Sequence, residues 1–312
     1  MNQDPIPVIL SCDDKFVRHA ACTIASIVKN SQRRYQFYLL DCGISERNKQ
    51  KLAAWDLGGN TLTVMPMEKV EVFEQVPLKP WFSPAIFYRL LIPELFPELT
   101  KAIYLDSDIV VVGDLGELWD IDLGDQLMGV VYEEGVLFEK AFFDKRKNNI
   151  GIPSNQRYFN SGMLYMNCVR LRAYGFVDRC IQLINYYAER LLYPDQDVLN
   201  CVLHNEDVYE LSPTYNWFAH VRIPDSLQGK ICIFHYAGFK PWYTFQWLLK
   251  WYPLYVFQQG MRYYHYAVLT PFKDELYTNV DLINTIKFMW KSLFSPVEGF
   301  VKNYLKRMHL LK

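Results

Sequence analysis

The sequence predicts an α/β protein with a mixed, mainly parallel sheet flanked by helices and followed by a basic, aromatic helical tail. Short apolar runs alternate with segments of helical periodicity through the first two thirds of the 312 residues, as in βαβ units. After about residue 243 this alternation stops and aromatic residues crowd together. A composition that is 51% hydrophobic and 21% charged is typical of a folded globular protein.

Seven short apolar runs are predicted to form strands, and several of them end in a polar or acidic residue. They are Val8 to Cys12, Phe37 to Asp41, Leu62 to Met65, Ala102 to Leu105, Gly129 to Tyr132, Gly162 to Met166 and Ile231 to His235. Ligands of open parallel sheets bind beyond the carboxyl ends of the strands. Polar groups at these ends are therefore candidates for a binding site.

Helical periodicity predicts five helices between these strands. They cover Phe16 to Lys29, Ser45 to Asp56, Pro84 to Leu91, Arg170 to Leu192 and Gln196 to His204. We expect residues 1–243 to form the catalytic domain and residues 244–312 to form a helical extension.

The end of the extension, residues 284–312, carries apolar stripes at helical spacing, surrounded by lysine and arginine and accompanied by one acid, Glu298. Such a basic amphipathic segment can bind the anionic inner leaflet of a membrane. A helical appendage that packs on the catalytic domain or on a second subunit is nearly as strong an interpretation.

Bulk properties narrow the classes of function. A net charge of −1 argues against binding nucleic acid over the whole surface. The seven scattered cysteines include no CxxC pair, so they predict free thiols rather than a zinc site or a disulfide framework. The N-terminal segment does not resemble a signal peptide and no apolar run approaches ~20 residues, so we expect a cytoplasmic protein without a spanning helix.

The strongest local signal is Asp106-Ser107-Asp108, which directly follows an apolar strand. Two carboxylates in a turn can both face one cation, and hard oxygen ligands suit Mg²⁺ or Mn²⁺. A solvated acidic turn explains the pattern about equally well. A haloacid-dehalogenase-like phosphatase, with Asp106 as its nucleophile, is a further alternative.

Other polar groups at element ends allow both functional and structural interpretations. Asp13 and Asp14 could bind a nucleoside, or could cap the helix that begins near Phe16. Asn160 could orient a sugar hydroxyl, or belong to a simple turn. Asp195, Gln196 and Asp197 lie at a predicted helix start, where capping requires only one of them.

Four further residues could serve a phosphorylated ligand and its cation. His235, at a predicted strand end, could be a third metal ligand, although a lone histidine is more often structural. Gly238 and Lys240 could seat phosphate oxygens, and Arg89 is another available cation.

Six segments in order, SCDD, FYRLLIPE, YLDSDIVV, YFNSGMLYMN, DQDVLN and HYAGFKPW, together resemble glycosyltransferase family 8. The match covers residues 6 to 243 and is strongest to bacterial lipopolysaccharide galactosyl- and glucosyltransferases. The resemblance implies a Rossmann-like GT-A fold, a UDP-galactose or UDP-glucose donor, Mn²⁺ or Mg²⁺, and transfer with retention of anomeric configuration. It also implies a saccharide acceptor, either the lipopolysaccharide core or another lipid-linked glycan, at the inner face of the cytoplasmic membrane.

The resemblance assigns roles to individual residues. Asp106, Asp108 and His235 would bind the metal, and Asp13 would contact the uridine side. Arg89 and Asp106 would help hold the sugar and phosphates, while Gly238 and Lys240 would bind the diphosphate. Asn160, Asp195 and Gln196 would surround the transferred sugar, with Asp195 and Gln196 as the catalytic candidates. A covalent and a front-side mechanism both remain open, as does a non-catalytic sugar-nucleotide-binding module.

Overall fold

The computed structural model describes residues 4–79, 82–238, 240–242 and 254–277. Its ten strands are β1 Ile6–Cys12, β2 Tyr35–Asp41, β3 Thr61–Pro66, β4 Lys101–Leu105, β5 Ile109–Val111, β6 Met128–Val130, β7 Met163–Asn167, β8 Val208–Glu210, β9 Trp217–Phe218 and β10 Ile233–His235.

The helices within these ranges are α1 Val17–Asn30, α2 Glu46–Ala53, α3 Glu71–Glu74, α4 Ile92–Leu95, α5 Leu115–Trp119, α6 Lys140–Asn149, α7 Cys168–Ala173, α8 Phe176–Tyr187, α9 Pro194–Val202, α10 Leu254–Ala267 and α11 Lys273–Tyr277. A 3-10 helix spans Pro84–Leu91, and four shorter 3-10 turns lie between residues 188 and 227.

Seven strands form the main sheet in the order β3-β2-β1-β4-β7-β6-β8. Neighbours pair in parallel except around β7, which is antiparallel to both β4 and β6. The predicted α/β class with a mixed, mainly parallel sheet is confirmed. Three further strands form a small sheet in the order β5-β10-β9.

The interior strand β1 is buried along its whole length because both faces of the main sheet are covered. Val8 and Leu10 pack in one apolar cluster with α1, whereas Ile9 packs in the other cluster, on the opposite face. This burial explains why the strand is an apolar run rather than an alternating pattern.

Two predicted helices differ from the observed ones. The single helix expected over Arg170 to Leu192 is wrong: α7 ends at Ala173 and α8 begins at Phe176, because Gly175 takes the left-handed conformation at φ +67°. Residues 84–91 are helical as expected but form a 3-10 helix.

Several short elements carry no clear signal in the sequence. β8 and β9 have only three and two residues. In α6 the buried face consists of Phe143 and two charged residues, Arg146 and Lys147, so its pattern does not stand out as amphipathic.

The described part of the C-terminal extension is helical and packs on the preceding domain. Tyr263 and Tyr266 of α10 are buried in a cluster with residues of β5 and β10. The Tyr263 hydroxyl lies 2.6 Å from Nδ1 of His19, and Asn30 donates to the Tyr266 hydroxyl at 2.8 Å. The domain boundary at residue 243 stays a prediction, and the basic segment 284–312 lies outside the described residues.

Two predictions made from the composition of the chain can also be compared with the structure. All seven cysteines are free, as predicted. Among the described helices, none is long and apolar enough to cross a membrane.

Candidate active site

The Asp106-Ser107-Asp108 turn lies where the chain leaves the main sheet and enters the small one, between β4 and β5. The backbone N–H of Asp106 donates to the carbonyl of Gly162 at 2.8 Å, and the backbone N–H of Tyr236 donates to the carbonyl of Asp108 at 2.9 Å. The Ser107 hydroxyl donates to the carbonyl of Ser11, at the end of β1, at 3.2 Å. The turn is therefore held by three separate segments.

His235 ends β10, and the pairing of β10 with β5 brings it to the turn. Its Nε2 atom lies 3.3 Å from Oδ1 of Asp108 and 3.8 Å from Oδ2 of Asp106. One ligand atom from each of these three side chains lies within 4.8 Å of the others. Carboxylates suit Mg²⁺ and Mn²⁺, and imidazole is the commonest nitrogen ligand of metals, so this set of donors fits a divalent cation.

Gly162, directly before β7, has no side chain, and His235 and Asp106 fill the space that a side chain would need. A Cβ atom at this position would stand 2.3 Å from Cε1 of His235 and 2.8 Å from Oδ2 of Asp106. Both distances are far below an ordinary contact of about 3.5 Å. Glycine, which lacks a Cβ atom, is therefore the residue that allows His235 and Asp106 to lie so close to this backbone position.

Arg89 is a buried cation that joins two of the predicted site carboxylates. One guanidinium nitrogen lies 2.8 Å from Oδ1 of Asp106, and the other lies 3.2 Å from Oδ2 of Asp195 and donates to the carbonyl of Ser161 at 2.8 Å. The guanidinium also lies over the ring of Tyr104, 4.5 Å from its centroid. Burial would lower the pKa of Arg89, but Asp106 and Asp195 outweigh it and raise that pKa, so the cation is permanent.

The side-chain amides of Asn160 and Gln196 and the carboxylate of Glu133 form a buried hydrogen-bonded cluster. Asn160 Nδ2 donates to Oε1 of Glu133 at 2.5 Å and to Oε1 of Gln196 at 3.0 Å. Ser161 donates to the same Gln196 oxygen through its backbone N–H at 3.2 Å. Burial raises the pKa of Glu133, and it also raises the pKa of Asp195 despite the opposing effect of Arg89.

Lys240 contacts the turn directly, whereas Gly238 is explained by its backbone conformation. The Lys240 ammonium contacts the Asp108 carboxylate and donates to the carbonyl of Tyr236 at 3.1 Å. Burial opposes ionisation of Asp108, but Lys240 and His235 more than offset it and keep its pKa well below the usual range. Gly238 has φ +70° with open space around a Cβ position, so its backbone conformation explains the glycine.

Two predicted or considered acids have local structural contacts. Asp13 accepts hydrogen bonds from the backbone N–H groups of Lys15 and Phe16, so it caps the turn that leads into α1. It follows β1 at the same sheet edge as Asp106 but is not one of the three residues whose ligand atoms lie together, Asp106, Asp108 and His235. Asp197 is fully buried and paired with Arg146 at 2.8 Å, away from Arg89 and the turn's carboxylates.

The structure thus brings together eight of the predicted residues at one sheet edge, around one cluster of charges and amides. They are Arg89, Asp106, Asp108, Asn160, Asp195, Gln196, His235 and Lys240. Two residues of this cluster were not among the predicted ones: Glu133, and Asn216, whose side-chain amide lies 2.8 Å from Oδ1 of Asn160 and 3.0 Å from Nδ1 of His235. Glu133 closely follows β6 and could have been found as another acid near a strand end, whereas Asn216 carries no local signal.

Comparison with known proteins shows a consistent set of relatives. Residues 7–245 match the profile of glycosyl transferase family 8. General stress protein A of Bacillus subtilis (strain 168) is 28% identical over 267 residues, covering 78% of this chain and 89% of that protein. Lipopolysaccharide glucosyltransferase WaaO of Escherichia coli (strain K12) is 24% identical over 253 residues, covering 78% of this chain and 74% of that protein.

The fold also resembles a solved glycosyltransferase. The structure of galactosyltransferase LgtC in complex with donor and acceptor sugar analogues matches with a TM-score of 0.70 and 25% identity, over 85% of this chain and 96% of that one. The Rossmann-like GT-A architecture that the sequence motifs imply is confirmed by this likeness.

Proposed function

The chain belongs to glycosyl transferase family 8, and from this premise we propose that it is a metal-dependent, retaining hexosyltransferase. The donor is UDP-galactose or UDP-glucose, and the acceptor is a saccharide, either the lipopolysaccharide core or another lipid-linked glycan. The observation that carries the proposal is the convergence of Asp106, Asp108 and His235 from two sheets onto one point. The family assignment displaces the phosphatase alternative.

The donor is proposed from the charges around that point and from the relatives. A diphosphate needs cationic partners. The chain supplies the ammonium group of Lys240, next to Asp108, and a divalent cation held by Asp106, Asp108 and His235 would be the second. Buried amides and carboxylates such as Asn160, Gln196 and Asp195 suit sugar hydroxyls, which both donate and accept hydrogen bonds. The relative WaaO is named a lipopolysaccharide glucosyltransferase and LgtC a galactosyltransferase, which supports a hexose.

A divalent cation held by Asp106, Asp108 and His235 would stabilise the negative charge that develops on the departing diphosphate. The protein's own contribution begins with preorganisation. Arg89 fixes Asp106 and Asp195 relative to each other, and the three segments that hold the turn keep Asp106 and Asp108 in place. Lys240 adds a positive charge on the side where we place the diphosphate.

Retention follows most simply from a front-side displacement. Asp195 is paired with Arg89, and the Gln196 amide oxygen accepts three hydrogen bonds, so both residues are weakened as nucleophiles. In this route the bond from the anomeric carbon to phosphate oxygen breaks with its electron pair leaving on UDP. The acceptor oxygen bonds to the same face, and its proton passes to the departing phosphate oxygen.

The decisive assay measures UDP release from a panel of UDP-sugars with Mn²⁺ and with EDTA. We expect release with UDP-galactose or UDP-glucose, loss of release in EDTA, and at least a 100-fold lower rate in Asp106→Asn. Asp120→Asn is the matched control, because Asp120 is an exposed acid paired with Arg33. It should retain the wild-type rate.

Two outcomes would overturn the proposal. Phosphate release from a monoester, with no dependence on UDP-sugars, would favour the phosphatase mechanism. UDP binding without hydrolysis or transfer from any UDP-sugar would indicate a binding module. With an active donor, an inverted anomeric configuration in the product, read by NMR, would refute retention alone.

We also propose a cytoplasmic location, with the enzyme held at the inner membrane face through residues 284–312. The basic amphipathic sequence of that segment supports this placement, since lysine and arginine attract anionic lipids. A lipid-linked acceptor would then be within reach of the active site.

A further inference from the structure

We propose that Asn216 is a positioning residue that fixes the tautomer of His235 and couples the metal centre to the amides around the transferred sugar. This inference rests on the proposed function, because it concerns the cation site of that enzyme. Asn216 is 1% exposed and lies just before β9, which pairs with β10 next to His235.

The orientation of the hydrogen bonds can be deduced from one backbone group. The N–H of Gly162 can only donate, and it lies 2.8 Å from the Oδ1 atom of Asn160. The Asn160 atom at that position must therefore be oxygen. Asn216 approaches the same oxygen at 2.8 Å, so it must present its NH₂ group there.

The other end of the Asn216 amide is then an oxygen, and it faces Nδ1 of His235 at 3.0 Å. An amide oxygen only accepts, so Nδ1 of His235 must carry the hydrogen. In the neutral ring this leaves a lone pair on Nε2, the atom that lies 3.3 Å from Asp108 and 3.8 Å from Asp106. A lone pair directed at two carboxylates suits a cation between them.

The far end of the chain of hydrogen bonds lies among the sugar-binding candidates. The NH₂ group of Asn160 donates to Glu133 and to the oxygen of Gln196. Because Asn160, Asn216 and His235 are all at least 95% buried, water does not compete for these bonds. A shift of the Asn160 amide would therefore be transmitted to His235 through Asn216, which is hydrogen-bonded to both.

Two variants separate hydrogen bonding from packing. Asn216→Leu keeps the size of the side chain but can neither accept from His235 nor donate to Asn160. Asn216→Asp keeps the acceptor for Nδ1 of His235, but it replaces the donor to Asn160 by an oxygen and adds a negative charge. Residues that orient a metal-bound histidine typically contribute 10- to 100-fold to metal affinity.

The test measures Mn²⁺ affinity of the full chain by EPR of the free ion, together with ¹⁵N NMR of histidine-labelled protein in Mg²⁺. We expect Asn216→Leu to bind Mn²⁺ about 10- to 100-fold more weakly and Asn216→Asp to recover most of the loss. The wild-type His235 signal should show a protonated Nδ1, and Asn216→Leu should lose that single tautomer. Asn60→Leu, which removes a half-buried amide bonded to the backbone at Tyr35 and Leu57, should match wild type in Mn²⁺ affinity.

The outcomes distinguish this inference from the proposed function. Wild-type protein that binds no Mn²⁺ would overturn both. If wild type binds Mn²⁺ and Asp106→Asn does not, the proposed cation site stands. Equal affinities of Asn216→Leu and wild type would then overturn the role of Asn216 alone. A protonated Nε2 on His235 of wild type in Mg²⁺ would do the same, even if Asn216→Leu failed to fold.

Discussion

Replacing Gly162 with alanine adds one methyl group at a position that is packed against both His235 and Asp106. That methyl carbon would stand 2.3 Å from Cε1 of His235. Ordinary carbon–carbon contact begins at about 3.5 Å, so the two groups must separate by about 1.2 Å. Oδ2 of Asp106, at 2.8 Å, must also move.

The backbone at Gly162 has little freedom to absorb this movement. Its N–H donates to Asn160 and its carbonyl accepts from Asp106, both at 2.8 Å. We therefore expect the His235 ring to be displaced, with loss of its place in the ligand set. A misplacement of about 1 Å at a catalytic centre can lower the rate about 100-fold, equivalent to about 2.7 kcal/mol of transition-state stabilisation.

The assay is kcat/KM for UDP release with Mn²⁺, together with Mn²⁺ affinity. Gly116→Ala is the matched control, since the atoms nearest to its Cβ position are Cγ of Arg33 at 3.0 Å and Oδ1 of Asp114 at 3.1 Å, which belong neither to the turn nor to His235. The control should keep wild-type values. Wild-type Mn²⁺ affinity and kcat/KM in folded Gly162→Ala would refute the proposed packing of His235 and Asp106 around the cation.

Three further predictions concern stability and the tail. Burial would raise the pKa of Asp41, but Lys49 and the N–H groups of Ile44 and Gly43 outweigh it and lower that pKa, so the carboxylate stabilises the fold above its unfolded pKa of about 3.9. Asp41→Asn should lower the free energy of unfolding by about 1–3 kcal/mol at pH 7. This loss, measured by urea denaturation, should shrink as the pH falls below about 4. A loss that stays constant from pH 7 to 3 would contradict the prediction. Asp197→Ala should lower the free energy of unfolding by about 3–5 kcal/mol because it leaves buried Arg146 unpaired, and a loss under 1 kcal/mol would count against the pair. Deleting residues 284–312 should abolish flotation with anionic liposomes while leaving UDP release intact, and unchanged flotation would exclude the tail as the membrane contact.

Much of the fold could be predicted because the buried strands are long and apolar. β1, β2 and β4 lie in the interior of a sheet covered on both faces, so most of their residues are apolar and buried. Elements that depend on tertiary contacts had no such signal. β9 has two residues, and Gly175 breaks a continuous helical pattern only because its φ is positive.

The candidate site was predictable to the extent that its residues lie at strand ends. Asp106 and His235 follow or end strands, and the sequence motifs place them in a family order. Nothing in the sequence indicates that Arg89 joins Asp106 to Asp195, since those contacts link residues far apart in the chain. Asn216 was missed for the same reason: its role depends on partners 19 and 56 residues away.

We propose that Asp106, Asp108 and His235 hold the divalent cation that glycosyl transfer requires. The most direct test is anomalous diffraction at the manganese edge from crystals of this protein grown with Mn²⁺ and UDP. We predict one strong peak in contact with all three side chains and with the diphosphate. A UDP-bound crystal with no peak at these residues, or with manganese bound only elsewhere, would contradict the assignment of Asp106, Asp108 and His235 as the metal ligands.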